Sequence, residues 1–148
     1  MEQWLILSLI AAACWGIYNF VIKVIVGRDF LNSGVKTAIL FIVIGILITF
    51  AAYFILSRQA FSISAVNSKA ALFGIFLGFV WGIGTIVFLR SLSNGADVSR
   101  MAPIFNLSIL LPVAFGIILL GELPDKAQAL RVIIGAALTI IGATLVAM

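Results

Sequence analysis

TAILFIVIGILITFAAYFILS, residues 37–57, contains no charged side chain and only scattered hydroxyls among its aliphatic and aromatic residues. At about 1.5 Å of rise per residue, a helix of this length crosses the ~30 Å hydrocarbon core of a bilayer. Outward from it, reading between charges, four more apolar runs stand out: Trp4–Ile22, Ala70–Leu89, Met101–Gly121 and Val132–Met148. The last is the shortest, and Arg131 extends it by snorkelling its head group to the interface. The pattern predicts an all-α membrane protein with five transmembrane helices. It forms one domain over residues 1–148, with helices over about 4–26, 35–57, 70–90, 102–121 and 130–148.

The composition agrees with lipid as the solvent. Hydrophobic residues make up 64% of the chain and charged ones 9%, against about a quarter charged in an ordinary soluble domain. In water, much of this apolar surface would stay exposed. The net charge of +4 comes from nine Lys and Arg placed singly. They read as anchors at the membrane edge, and no basic face exists for nucleic acid. Cys14 is the single cysteine, so no intrachain disulfide and no Cys-based metal site is expected. Histidine is missing, which removes the commonest general base and metal ligand. No cofactor, metal or enzymatic activity is expected: no buried carboxylate and no serine–base pair can be assembled.

Met1-Glu2-Gln3 carries no Lys or Arg, so the positive region of a signal peptide is missing. Ala11-Ala12-Ala13-Cys14 has Ala11 where a lipoprotein cleavage site prefers a larger aliphatic residue. The segment is read as a retained first helix, with Cys14 a small packing residue.

The connections carry turn residues and charge together: Gly27-Arg28-Asp29, Asn32-Ser33-Gly34, Ser57-Arg58-Gln59, Ser93-Asn94-Gly95 and Gly121-Glu122-Leu123-Pro124-Asp125. Phe61, Ile63 and Val66 suit a stretch lying along the interface. With five crossings, Arg58, Lys69, Lys126 and Arg131 share the side of the N-terminus, and Lys23, Arg28, Lys36, Arg90 and Arg100 take the other. Excess positive charge normally fixes the cytoplasmic side. Here the two sides nearly balance, which fits insertion both ways round, or else charges near helix ends that belong to the other side, or orientation set by the first helix alone.

Polar groups inside a bilayer are expensive and usually face a bundle interior or a wet cavity. Trp15, Asn19 and Lys23 recur every four residues along one face of the first helix, with Gly16 beside them. They are candidate solute-lining residues; for Lys23, snorkelling from the helix end is the competing reading. In the third helix, Gly74, Gly78 and Gly82 form a small-residue stripe that lets backbones approach. Thr85 follows it, and Trp81 beside it either lines a cavity or anchors packing. The fourth helix holds Pro103, expected at its start, with Asn106 as a further lining candidate and Pro112 as a mid-span hinge. Gly135 and Gly142 make a smooth seam on the fifth. The acidic residues Glu2, Asp29, Asp97, Glu122 and Asp125 all sit at or outside helix ends, leaving no intramembrane carboxylate as a proton relay.

Taken in order, these residues resemble the drug/metabolite transporter superfamily, specifically its EamA-like branch. The resemblance rests on Trp15-Gly16-x-x-Asn19-x-x-x-Lys23, on Asn94-Gly95-Ala96-Asp97-Val98-Ser99-Arg100-Met101-Ala102-Pro103-Ile104, and on Pro112, Gly121-Glu122-Leu123 and Gly135-Ala136-Ala137-Leu138-x-x-x-Gly142. The closing third is the most specific part and the second helix the least. The resemblance implies a cytoplasmic N-terminus and one half of a ten-helix fold built from two inverted five-helix halves. Ala12, Ala13 and Cys14 stand where the four-helix multidrug branch carries a glutamate, which argues against proton-driven export of cationic drugs.

The expected function is transport of small metabolites across the cell (inner) membrane by a multi-pass protein. It is expected to act as an exporter or facilitator and to work as an antiparallel dimer of five-helix halves, either a homodimer, with dual topology as one arrangement, or a heterodimer with another half. The alternative is a non-transporting scaffold or a subunit of a larger transporter.

Overall fold

The computed structural model describes residues 3–57, 67–121 and 125–147. Among them are six α-helices and no strand: α1 (Gln3–Val26), α2 (Val35–Leu56), α3 (Ser68–Ser93), α4 (Val98–Asn106), α5 (Leu110–Leu119) and α6 (Lys126–Ala147). A 3₁₀ turn, Leu107–Ile109, joins α4 to α5. Five segments are long and apolar enough to cross a membrane: Gln3–Val26, Val35–Leu56, Ser68–Ser93, Val98–Ile118 and Ala127–Val146. The interfacial stretch expected at Phe61, Ile63 and Val66 lies outside the described residues, as do Glu2, Arg58 and the turn Glu122-Leu123-Pro124.

Helix ends follow local hydrogen bonding more than hydropathy. Asn67 caps α3, its side chain accepting from the Lys69 N–H at 2.9 Å. Asp125 accepts from the Ala127 N–H at 3.3 Å and starts α6, earlier than the expected residue 130. Asp97 precedes α4, placing its carboxylate where the helix dipole favours an anion. The fourth span therefore begins at Val98 rather than at 102. Pro103, expected at the helix start, lies inside α4. Gly95 (φ +102°) and Gly121 (φ +63°) follow the ends of α3 and α5 in backbone conformations that side chains disfavour.

The chain divides into two compact units, residues 1–95 and 96–148. In the first, the well-buried side chains Ile22, Val26, Ala38, Phe88, Leu89 and Leu92 gather where α1 and α3 end and α2 begins. The α1–α2 loop folds back on this end. The N–H groups of Gly27, Leu31 and Ser33 donate to the carbonyls of Lys23, Val24 and Ile25, satisfying the last turn of α1. Asn32 makes the bend with φ 45°. Away from this end, large apolar side chains of α1, α2 and α3 are exposed, as lipid-facing or partner-facing surface would be.

In the second unit, α6 packs along α4 and the 3₁₀ turn, with Ala143 buried on α6. Pro112, expected as a mid-span hinge, lies in the first turn of α5. Pro112 has no N–H to give the carbonyl of Ser108, four residues back, and the backbone tightens over Leu107–Ile109 just before it.

Candidate functional site

Helices α1 and α3 run in the same direction and in register. Arg28, just past α1, donates from Nε to the carbonyl of Ser93, the last residue of α3, at 3.2 Å. Further back, Tyr18 of α1 faces Thr85 of α3. Between these two levels the seam is apolar, closed by the buried Ile22, Val26, Phe88, Leu89 and Leu92.

The structure places the sequence candidates unevenly along this seam. Asn19 is half-buried, one residue from Tyr18. Trp15 is 48% exposed and meets the Tyr18 ring edge-to-face, with centroids 5.5 Å apart and an interplanar angle of 80°. Lys23 is half-buried in the last turn of α1, where its carbonyl accepts from Gly27. Trp81 is exposed on α3. Asn106 belongs to the second unit and is exposed as the last residue of α4, immediately before the 3₁₀ turn.

Tyr18 is the residue that sequence reasoning passed over. Its hydroxyl is buried and, although it faces Thr85, the pair does not meet hydrogen-bond geometry. Several hydroxyls in these spans are satisfied within their own helix. Ser8, Thr49, Ser91, Thr139 and Thr144 each donate to the carbonyl four residues earlier, at 2.8–3.1 Å. No such bond from Thr85 is found among the described residues. The signal that could have singled out Tyr18 is a shared level. It stands eight residues before Val26, and Thr85 eight before Ser93.

The glycine stripes face outward. A Cβ placed on Gly16, Gly74, Gly78, Gly82, Gly135 or Gly142 meets no described atom within 4 Å. On α3, Gly78 and Gly82 open an apolar groove of about 380 Å³ with Ile75, Phe79, Ile83 and Ile86. Acidic side chains keep to the ends: Asp29 in the α1–α2 loop, and Asp97 and Asp125 before α4 and α6. None of the six helices contains Asp or Glu.

A five-span, all-helical chain with a polar layer inside its first and third helices is a form suited to moving solutes. The family model described as the EamA-like transporter family matches residues 2–148, nearly the whole chain. The chain belongs to the EamA-like transporter family. It is a multi-pass membrane protein of the drug/metabolite transporter superfamily, whose members carry small solutes. No curated protein and no solved structure matches it. Membership in the EamA-like family gives the polar layer of α1 and α3 a context: these are spans of a transport domain.

Proposed function

We propose that this EamA-like chain carries small polar or amphiphilic metabolites across the cell membrane as an antiparallel pair of five-helix units. The observation that carries the transport reading is the polar layer at Tyr18, Asn19 and Thr85, held inside spans whose other faces are apolar. Such groups cost several kcal/mol in hydrocarbon unless they serve a partner or a passing solute. In this reading Trp15, Asn19, Trp81 and Asn106 of two oppositely inserted copies surround a shared cavity at mid-membrane, while Lys23 stands nearer the membrane edge. Rocking of one copy against the other alternates its access, with Pro112 and the glycines of α3 as hinges.

Two observations support pairing with an inverted copy. Arg58, Lys69, Lys126 and Arg131 nearly balance Lys23, Arg28, Lys36, Arg90 and Arg100, so neither orientation is strongly favoured. The glycine faces of α3 and α6 are uncovered within their own units. Transport in this reading is passive, or coupled through a partner's residue, because none of the six described helices carries a carboxylate to relay protons.

A reporter fused after Met148 tests the arrangement. Signal on both faces of the membrane is expected; signal on one face only would leave a parallel pair or a different partner half. Liposomes holding purified protein test transport. Flux that falls in Asn19→Leu and Asn106→Leu is expected, whereas no flux of any solute would favour a non-transporting subunit.

A further inference from the structure

We propose that Tyr18, Asn19 and Thr85 form the hydrogen-bonding subsite for the solute, and that this subsite takes an uncharged hydroxyl or carboxamide group. The inference rests on the transport reading above and names the class of solute.

Position is the first argument. Tyr18 and Thr85 each stand eight residues before the last residue of their helix, which is about 12 Å along the axis. That depth lies well inside the hydrocarbon. On the side toward the α1–α2 loop, the seam is filled by the buried apolar side chains Ile22, Val26, Phe88, Leu89 and Leu92. On the other side the packing opens: Trp15 and Trp81 are exposed, and no described atom stands within 4 Å of a Cβ on Gly16, Gly78 or Gly82. Tyr18 and Thr85 form the layer at which the closed part of the seam gives way to the open part. A solute entering from the open side stops there.

Hydrogen bonding is the second argument. Among the described residues the buried Tyr18 hydroxyl has only Thr85 facing it, outside hydrogen-bond geometry, and Thr85 does not use its own helix as Thr49, Thr139 and Thr144 do. Asn19, half-buried beside Tyr18, adds a carboxamide with two donors and an acceptor. A buried hydroxyl left in this state is suited to a partner that arrives from outside the protein. The solute reaches it by taking the place of the Tyr18–Thr85 contact.

Charge selects the class. All three groups are neutral and both donate and accept, matching a hydroxyl or a carboxamide. A cationic group would meet no carboxylate on α1, α2 or α3. Lys23 lies further on, in the last turn of α1, beyond the apolar layer of Ile22 and Leu89. The Trp15 and Tyr18 rings, packed edge-to-face, offer an apolar wall beside the subsite. The solute therefore pairs its polar group with a flat or apolar part.

Uptake into liposomes of purified protein, with four probes, tests this. Uridine and nicotinamide are the neutral probes, choline the cation and succinate the anion. The wild-type protein is expected to take up a neutral probe in preference to both ions. Tyr18→Phe and Thr85→Val each raise the KM for that probe roughly tenfold, the worth of one hydrogen bond, with little change in maximal rate. Thr85→Ser, which returns the hydroxyl, recovers most of the loss, separating a lost hydrogen bond from a misfolded protein. Uptake confined to choline or succinate overturns the subsite while leaving transport standing. An unchanged KM in both variants, or a fall in rate alone, also overturns it. No uptake of any probe by wild-type protein overturns the subsite and counts against the transport reading as well.

Discussion

The Arg28 side chain donates from Nε to the Ser93 carbonyl across 3.2 Å, binding the α1–α2 loop to the last residue of α3. The carbonyls at a helix C-terminus lack partners and carry the negative end of the helix dipole, so a guanidinium there is doubly favourable. Arg28 is exposed, which limits the effect to about 0.5–1 kcal/mol. Arg28→Gln is expected to lower the melting temperature in detergent, and Arg28→Lys to lower it less. Equal melting of wild type, Arg28→Gln and Arg28→Met would show that the bond contributes nothing.

Gly27 closes the same end from beneath. A Cβ at this position would stand 2.5 Å from the Lys23 carbonyl oxygen and 3.1 Å from the Phe30 ring. The first of these is backbone and cannot swing aside. Gly27→Ala is expected to destabilise by about 1–3 kcal/mol, the usual cost of overpacking. Gly45, in the middle of α2, is the control, since no described atom lies within 4 Å of its Cβ position. Gly45→Ala should be neutral or stabilising by up to about 1 kcal/mol through helix propensity. Thermal or denaturant unfolding of the two variants side by side checks the contrast; a Gly27→Ala as stable as Gly45→Ala would refute it.

The two glycines also show what a sequence can and cannot reveal here. The all-helical, five-span fold was legible because it depends on one local quantity, the length of apolar chain between charges. The second span shows this most simply: expected over about 35–57, it runs Val35–Leu56. Where a charged residue lies within the helix, charge is a poorer guide. Arg100 lies inside α4 and Arg131 inside α6, because Asp97 and Asp125 start those helices earlier. The candidate site was less legible. A polar stripe at four-residue spacing brought out Trp15, Asn19 and Lys23 on α1 alone. Tyr18 lies off that stripe, and its importance comes from facing Thr85 sixty-seven positions on, a relation set by the register of two helices. Gly27 was visible as a turn residue, but not as the position whose missing side chain the Lys23 carbonyl requires.

Pro112 and the 3₁₀ turn before it should behave as one device. Replacing the proline restores a backbone donor for the Ser108 carbonyl and removes the ring that crowds it. Pro112→Ala is then expected to let Leu107–Ile109 return to α-helical bonding. The helix gains stability, by up to about 3 kcal/mol on propensity alone, while a rocking transporter loses a hinge. Amide exchange over residues 107–112 should slow, and solute flux should fall with KM little changed. Faster exchange at these amides, or undiminished flux, would remove the hinge role.

The groove on α3 separates a single unit from a pair. Gly78 and Gly82 stand open between Ile75, Phe79, Ile83 and Ile86, and no described atom approaches their Cβ positions. Gly78→Leu therefore meets no clash within the unit, and the fold should hold, with helical content and melting close to wild type. If a second copy seats a helix in the groove, as small residues at this spacing allow, the leucine fills the space its backbone needs. Pairing is expected to fall by about tenfold or more, because backbone approach is lost along with the contacts. Cross-linking in native membranes and mass measurement in detergent both read this directly. Gly45→Leu on α2, equally open but outside the stripe, is the matched control and should leave pairing intact. A Gly78→Leu protein that folds and still pairs as wild type does would place the partner away from α3, and the Gly135–Gly142 face of α6 would be the next to test.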